Sequence, residues 1–312
     1  MRNPARGVLA SVVVAATVAA TASVASAASC LRVGVYADNP VQALSSLTRS
    51  VGSGITVISA YVTAGTAIPA SLITAANRDH AELLVTWDPD DGSDGANQPS
   101  HRLSAVSAGK DDASLRALVQ QLGQVSSGAI LRPMPEMNTS WYAWSGTVNH
   151  NSPSQFVRAW KHVRGVVRST SGGAHIQMLW SPYAWSTPDT AANAISKYFP
   201  GRGQVDLVGA SGYNFGNRAP LTWSEPGAVF GAAYQQIESL AAKPFWIAET
   251  GSTTRGGDKA GWILSLGTLQ TTSMPKLAGV VWYDVKDALG DFRLSGKTVL
   301  SAFRSLAADG CR

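Results

Sequence analysis

The sequence predicts an α/β chain folded as a single closed (β/α)8 barrel, the TIM-barrel architecture. Three observations lead there: eight short apolar runs rich in β-branched and aromatic residues, an amphipathic stretch after each of them, and 312 residues without a linker or an internal repeat. Strands alternating with helix-length amphipathic segments are the pattern of parallel βα units. Eight such strands leave no open edge when they close into a barrel, which makes the first and last strands neighbours.

The expected strands are residues 31–36, 55–61, 83–87, 129–134, 176–180, 205–211, 245–248 and 279–283. The expected helices are 42–49, 70–78, 113–122, 155–168, 191–198, 227–242, 259–266 and 298–307. Between the third strand and its helix lies the one low-complexity segment, DPDDGSDGANQPS at 88–100, whose Asp, Gly and Pro content marks a solvated loop. Asp90, Asp91 and Asp94 ahead of Gly95 invite a calcium reading, but the segment lacks the ligand spacing and closing Glu of an EF-hand loop.

At the N-terminus, Arg2 and Arg6 precede an apolar run over residues 8–24 and the small residues Ala25-Ser26-Ala27, the form of a cleaved signal peptide. Residues 1–27 are therefore expected to be removed on export, leaving 28–312 as one secreted domain. A membrane anchor is the competing reading, against which Thr17, Thr21 and Ser23 interrupt the run. No other stretch is apolar enough to span a bilayer. Loss of Arg2 and Arg6 lowers the net charge from +5 to +3, too little to argue for a nucleic-acid partner. About 285 residues suffice for one core that buries roughly 75% of the chain's surface, so one domain is expected; a monomer is the expected state.

Cys30 and Cys311 are the only cysteines and stand at opposite ends of the exported chain, where an oxidising exterior favours a disulfide joining the termini. A lipid-modified Cys30 is the alternative, but Ala-Ala-Ser-Cys is a poor lipobox and would leave Cys311 unpaired. His80, His101, His150, His162 and His175 form no HExxH-type pair, so neither a catalytic metal nor another cofactor is expected.

Only five glutamates occur, and two of them, Glu136 in LRPMPEMN and Glu249 in FWIAET, directly follow expected strands. That is the rim on which barrels of this kind carry their chemistry. Alternation is expected to put Arg132, Met134 and Glu136 on one face of the fourth strand and Phe245, Ile247 and Glu249 on one face of the seventh. If those faces point inward, both carboxylates overlook the barrel axis and Arg132 offers a matching cation. Capping a following loop would explain one such Glu more easily than both. Two opposed carboxylates suit glycosidic hydrolysis, in which one protonates the leaving oxygen and the other attacks the anomeric carbon or activates water. Trp87, Trp141, Trp144, Trp180, Trp185, Tyr213, Trp223 and Trp282 fall at or beyond strand ends, where aromatic rings can stack on sugar faces. Trp160, Trp246 and Trp262 are assigned to the core. Asn138, though part of an Asn-Thr-Ser sequon, is expected to contact the substrate or a carboxylate.

Read in order, LRPMPEMNTSWYAW, HIQMLWSPYAW, YFPGRGQVDLVGASGYNFG, KPFWIAETGST, GGDKAGWI and VVWYDVKDALGDFRLSG resemble glycoside hydrolase family 26, best known for endo-β-1,4-mannanases, along nearly the whole exported chain. The resemblance implies a clan A barrel and retaining stereochemistry, with Glu136 as acid/base and Glu249 as nucleophile. It also implies that Trp141, Tyr213 and Trp282 line the subsite of the attacked sugar and that Tyr213 hydrogen-bonds the nucleophile. Pro135 departs from the pattern, standing where the family has a His, and the usual Gly near Thr139 is absent. A polysaccharide partner is expected, β-1,4-mannan first. Mixed-linked β-glucan or β-1,3-xylan are alternatives, to be decided at Pro135 and the 88–100 loop. A secreted carbohydrate-binding barrel without turnover is a further alternative, which the retained Glu pair opposes.

Overall fold

The structure, a computed structural model, describes residues 30–308 and 310 except 53 and 94. The expected signal segment, Asp94 and Cys311 lie outside the described residues. Eight parallel strands follow one another in chain order and close on themselves: β1 (Arg32–Tyr36), β2 (Val57–Thr63), β3 (Glu82–Asp88), β4 (Ala129–Pro133), β5 (Gln177–Trp180), β6 (Leu207–Asn214), β7 (Phe245–Ser252) and β8 (Leu277–Tyr283). Closure is the pairing of β1 with β8, from Arg32 opposite Gly279 to Tyr36 opposite Tyr283.

Helices cover the outside: α1 (Pro40–Val51), α2 (Ala70–Arg78), α3 (Leu103–Ser107), α4 (Asp112–Leu122), α5 (Pro153–Ser169), α6 (Pro226–Leu240), α7 (Lys259–Thr272) and α8 (Lys297–Ala308). Their starts are chemically encoded. Asn39, Ser152 and Asp258 each accept a first-turn N–H through the side chain, and Pro40, Pro153 and Pro226 occupy first-turn positions that need no donor.

Two departures from the expected elements bear on the site. Residues 191–198 form two short 3-10 turns, Ala191–Asn193 and Ile195–Tyr198, rather than an α-helix. Here the Asn193 side chain competes with helical bonding, donating to the carbonyls of Asn138 (2.9 Å) and Pro188 (2.8 Å) and accepting from Tyr198. Within the segment after β3, a 3-10 turn at Pro99–His101 and α3 appear where only loop was expected. Leu103 of α3 is fully buried, so an apolar anchor orders this stretch.

Strand alternation divides the core in two. Val57, Leu84, Ile130, Leu179, Leu207, Trp246, Ala248 and Val281 fill the barrel interior. Their strand neighbours Ile58, Val85, Leu131, Met178, Val208, Ile247 and Val280 pack outward with helical side chains such as Leu72, Leu118, Phe156, Phe230 and Leu266. Trp246 is the largest plug, and two glycines make room for it. A Cβ at Gly279 would lie 2.4 Å from its ring, and one at Gly209 2.3 Å from its carbonyl oxygen. Below it, Arg32 lies 4.5 Å over the indole and pairs with Glu82 at 2.9 Å.

Candidate active site

Above the apolar plug the interior becomes polar, with Ser59, Thr86, Arg132 and Ser211 buried. The rim then carries tyrosines. Strand parity explains the change, because each interior position is two residues from the last: Val57, Ser59, Tyr61 on β2 and Leu207, Gly209, Ser211, Tyr213 on β6.

Neither glutamate reaches this layer by simple alternation. On β7, Trp246 and Ala248 face the interior while Phe245 and Ile247 pack outward, so an unbroken strand would send Glu249 outward too. The register slips instead: Ala210 opposes Ile247, but Ser211 opposes Glu249, leaving Ala248 as the extra residue of a bulge. Such a bulge re-aims the side chain that follows it. Glu249 consequently lies within β7 rather than after it, and the expected common face with Phe245 and Ile247 is incorrect.

On β4, Ile130 and Arg132 point inward and the strand stops at Pro133; Met134 then packs in the outer core, so it does not share the Arg132 face. The backbone here is left-handed at two non-glycine residues, Met134 (φ 50°) and Glu136 (φ 54°). Such residues cost of order 1–3 kcal/mol each and persist where surroundings impose them. The restraints are visible: Met134 N–H donates to the Trp87 carbonyl and Glu136 N–H to the Ser181 carbonyl, both at 2.9 Å. Thr139 Oγ1 donates to the Glu136 carbonyl at 2.7 Å.

Arg132 joins the two carboxylates. It is 1% exposed; Nη1 donates to Glu249 Oε2 at 2.7 Å and to Thr86 Oγ1 at 3.3 Å, and Nη2 donates to Ser211 and lies 3.8 Å from Glu136 Oε1. Glu249 takes two further hydrogen bonds, from the Tyr61 hydroxyl at Oε2 and from the Tyr213 hydroxyl at Oε1. Glu136 is less well served: its Oε2 accepts from Trp141 Nε1 at 3.1 Å, and the Ser211 hydroxyl also bonds its carboxyl group. Burial raises the Glu136 pKa to about 7, and the nearby charge of Glu249 adds to the rise against the opposing effect of Arg132. Burial and Glu249 also push the Tyr61 and Tyr213 phenols well above their ordinary value, keeping both as donors. One carboxyl group is thus held as a proton donor near neutrality beside another surrounded by donors.

The two glutamates open into a cavity of about 640 Å³ walled by Tyr36, Tyr61, Trp141, Tyr142, Tyr183, Trp185, Tyr213, Phe215, Tyr283 and Phe292, with Thr187, Leu221, Asp287 and Leu289 completing it. Trp141 (41% exposed) and Trp185 (40%) present accessible indole faces. Tyr36 stacks on Tyr283 at 5.4 Å and meets Tyr61 edge-on at 4.8 Å, so these rings fix one another around Glu249. The loop after β8, which supplies Asp287, Leu289 and Phe292, is tied down by Lys259 Nζ donating to the carbonyls of Asp291 (3.3 Å) and Arg293 (2.7 Å). Burial lowers that lysine to about 8.

Of the residues singled out from sequence, Glu136, Glu249, Trp141 and Tyr213 meet in this cavity, as does Trp185. Arg132 lies beneath the carboxylates and is spent on them rather than on a ligand. Asn138 is fully buried and does not touch the cavity. It donates to the Tyr183 carbonyl (3.0 Å) and Ser186 Oγ (3.2 Å) and accepts from Tyr183 N–H (2.8 Å), which positions Tyr183 and its loop. Trp87, Trp180 and Trp282 are corrections of one kind: each sits one residue out of phase with the interior, is at most 1% exposed, and packs in the outer core. Trp282 touches Trp262 and Phe303 edge-on, and the next residue, Tyr283, lines the cavity in its place. Trp144 is buried as well, stacked at 4.5 Å on Tyr142 and donating to the Pro135 carbonyl at 2.7 Å. Trp223 bonds Glu225 at 2.6 Å outside the main cavity. Neither Pro135 nor any described residue of the 88–100 segment lines the cavity. Asp88, however, is buried at the end of β3 with Oδ1 unpartnered, and burial raises its pKa well above the usual carboxylate range.

Most of the aromatic wall missed from sequence is tyrosine, with Phe215 and Phe292 beside it. Tyr36, Tyr61 and Tyr283 each ended an expected strand, and their parity with inward positions was a usable signal. Tyr142 and Tyr183 lie in loops whose course follows no periodicity. Among the described residues no cluster of three or more His, Cys, Asp or Glu could hold a metal ion, and no helix is long and apolar enough to cross a membrane.

Comparison with known proteins agrees with the fold and with the family resemblance. Residues 111–233 match the model of glycosyl hydrolase family 26. Endoglucanase H of Acetivibrio thermocellus is 28% identical over 237 residues, 73% of this chain but 24% of that protein. A mannan endo-1,4-beta-mannosidase of Bacillus subtilis is 26% identical over 144 residues, 45% of this chain and 34% of that protein. The chain thus spans about a quarter to a third of the length of these curated relatives. Among solved structures, the catalytic domain of the Bacillus sp. JAMB-750 GH26 endo-beta-1,4-mannanase superposes with a TM-score of 0.66 at 14% identity, covering 89% of this chain and 85% of that one. A modular endo-beta-1,4-mannanase of Cellulomonas fimi gives 0.64 at 15% identity, covering 89% and 70%.

Proposed function

This chain carries the barrel and the sequence signature of glycoside hydrolase family 26, and from that premise we propose that it is a retaining glycoside hydrolase acting on a neutral β-linked polysaccharide. The observation that carries the reading is the pair Glu136 and Glu249, buried against one guanidinium at the floor of an aromatic cavity. Stacking rings suit the flat C–H faces of sugars, and glutamates with an aspartate as the cavity's charged lining disfavour anionic polymers.

In the first step Glu249 attacks the anomeric carbon while protonated Glu136 gives its proton to the departing glycosidic oxygen, leaving a glycosyl ester on Glu249. Glu136, now a carboxylate, takes a proton from water as that water attacks the same carbon, and the carboxylate of Glu249 departs with configuration retained. The environments match the roles: Glu136 is protonated up to about pH 7 and Glu249 is bound by three donors.

β-1,4-Mannan is the first substrate of choice, in keeping with the mannanase relatives. Mixed-linked β-glucan is a second reading, favoured by the longer match to an endoglucanase. Reducing-end release from mannan, mixed-linked β-glucan, β-xylan and chitin separates them. Glu249→Ala should abolish turnover, with azide restoring it as a glycosyl azide of inverted configuration, whereas Glu136→Ala should spare substrates with activated leaving groups. No release from any of the four, or the opposite response to azide, overturns the assignment. Export with loss of residues 1–27 and a Cys30–Cys311 disulfide belong to the same proposal. Supporting the latter, Leu31 pairs with Gly310 in an isolated parallel bridge, which sets the neighbours in sequence of the two cysteines side by side.

A further inference from the structure

The two oxygens of Glu249 are not equivalent. Oε2 accepts from the Arg132 guanidinium and from the Tyr61 hydroxyl, while Oε1 accepts from Tyr213 alone. We propose that Oε1 is the attacking oxygen and that Tyr61, with Arg132, is a positioning residue that stabilises the Glu249 carboxylate as it departs in the second step. This rests on the hydrolase reading above.

Lone pairs decide the first half. Two donors occupy Oε2, one of them a cation 2.7 Å away, so its electrons are committed to in-place hydrogen bonds. Oε1 keeps a lone pair free of any protein donor. As the Oε1–C1 bond forms, the C1–O glycosidic bond breaks, and its electron pair takes the proton of Glu136.

The charge that Oε2 shared then vanishes into a neutral ester, and hydrogen bonds to it weaken. In the second step water adds to C1, its proton passes to Glu136, and the C1–Oε1 pair returns to the carboxylate. Donors on Oε2 regain full strength as that charge reappears. Tyr61 therefore favours the free carboxylate over the ester, which helps Glu249 as a leaving group more than as an attacker. Tyr61 suits this task because burial keeps its phenol protonated, and β2 parity aims it inward from a strand far in sequence from Glu249.

The test is Tyr61→Phe, assayed on an aryl glycoside with an activated leaving group, for which the second step limits turnover. Loss of one hydrogen bond to a charged group should lower kcat by about tenfold or more. KM should fall in parallel, kcat/KM should stay within about twofold, and a burst of released aryl alcohol should appear with the glycosyl ester trapped on Glu249. Tyr213→Phe, whose donor contacts the attacking oxygen, should instead lower kcat/KM. If Tyr61→Phe lowers kcat/KM as much as kcat, it acts on the first step and the proposal fails. Unchanged kinetics also defeat it, leaving Tyr61 as a cavity wall. Thermal melting of the variant within a few degrees of wild type confirms that the fold is kept, and Tyr61→Leu, which likewise lacks a donor, should show the same kinetic pattern and gives a second reading if it is not. A wild-type chain inactive on every aryl glycoside overturns the hydrolase reading and this proposal together, whereas an active wild type with an unresponsive Tyr61→Phe overturns this proposal alone.

Discussion

Replacing Glu136 by Gln keeps its shape and removes its titration, and the buried position makes the consequence for stability calculable. Glu136 is 4% exposed, and its pKa rises from 4.5 to about 7, with burial as the largest cause and the Glu249 charge second. The folded protein therefore binds a proton here more tightly than the unfolded chain does. Stability from that proton is complete below about pH 4.5 and is lost as pH rises through about 7. At about 1.4 kcal/mol per pH unit, the loss between those limits is roughly 3 kcal/mol. E136Q does not share it. The stability of wild type relative to E136Q should fall by that amount between pH 4.5 and 7 and then level off, a change of roughly 6–12 °C in relative melting temperature for a domain of this size. Paired thermal melts from pH 4 to 9 measure it. A gap constant across the window, or one that moves in wild type's favour as pH rises, refutes the assignment of Glu136 as the raised carboxyl. The same group should set an alkaline limb near pH 7 in kcat/KM on unactivated polysaccharide.

Trp141→Phe removes the indole N–H that favours the charged form of Glu136, so this alkaline limb should move above about 7 while affinity for oligosaccharide weakens; a limb that stays in place separates Trp141 from the acid. Replacing Cys30 and Cys311 together by Ser should lower the melting temperature, by up to about 5 kcal/mol of stability in the loop-entropy picture, without changing turnover at mild temperature. Two free thiols titrated in the native secreted protein count against the bridge.

Much of this architecture was legible in the amino-acid sequence because it is written in local chemistry. Apolar runs of strand length and amphipathic segments of helix length fix eight strands and most helices within a few residues. The scarcity of glutamate isolated Glu136 and Glu249, and Tyr213 was already aimed at the nucleophile through the family resemblance. These features depend on a residue and its near neighbours, so a one-dimensional reading reaches them.

Phase and partnership were decided only in three dimensions. One unpaired residue, Ala248, reverses which side chains of β7 face the interior, and nothing in FWIAETGS announces it because the bulge arises from matching β6 and β8 at once. The left-handed backbone at Met134 and Glu136 is imposed by the carbonyls of Trp87 and Ser181, on other strands or their exits. The same single-residue parity sends Trp87, Trp180 and Trp282 into the helix layer and leaves the rim to Tyr36, Tyr61 and Tyr283. Which donors serve Oε1 and which serve Oε2 of Glu249 depends on β2, β4 and β6 converging from positions 61, 132 and 213. The sequence determines the residues available to the site, but closure of the barrel sets their phase, because a strand's inward face is defined by its neighbours' register and not by its own composition.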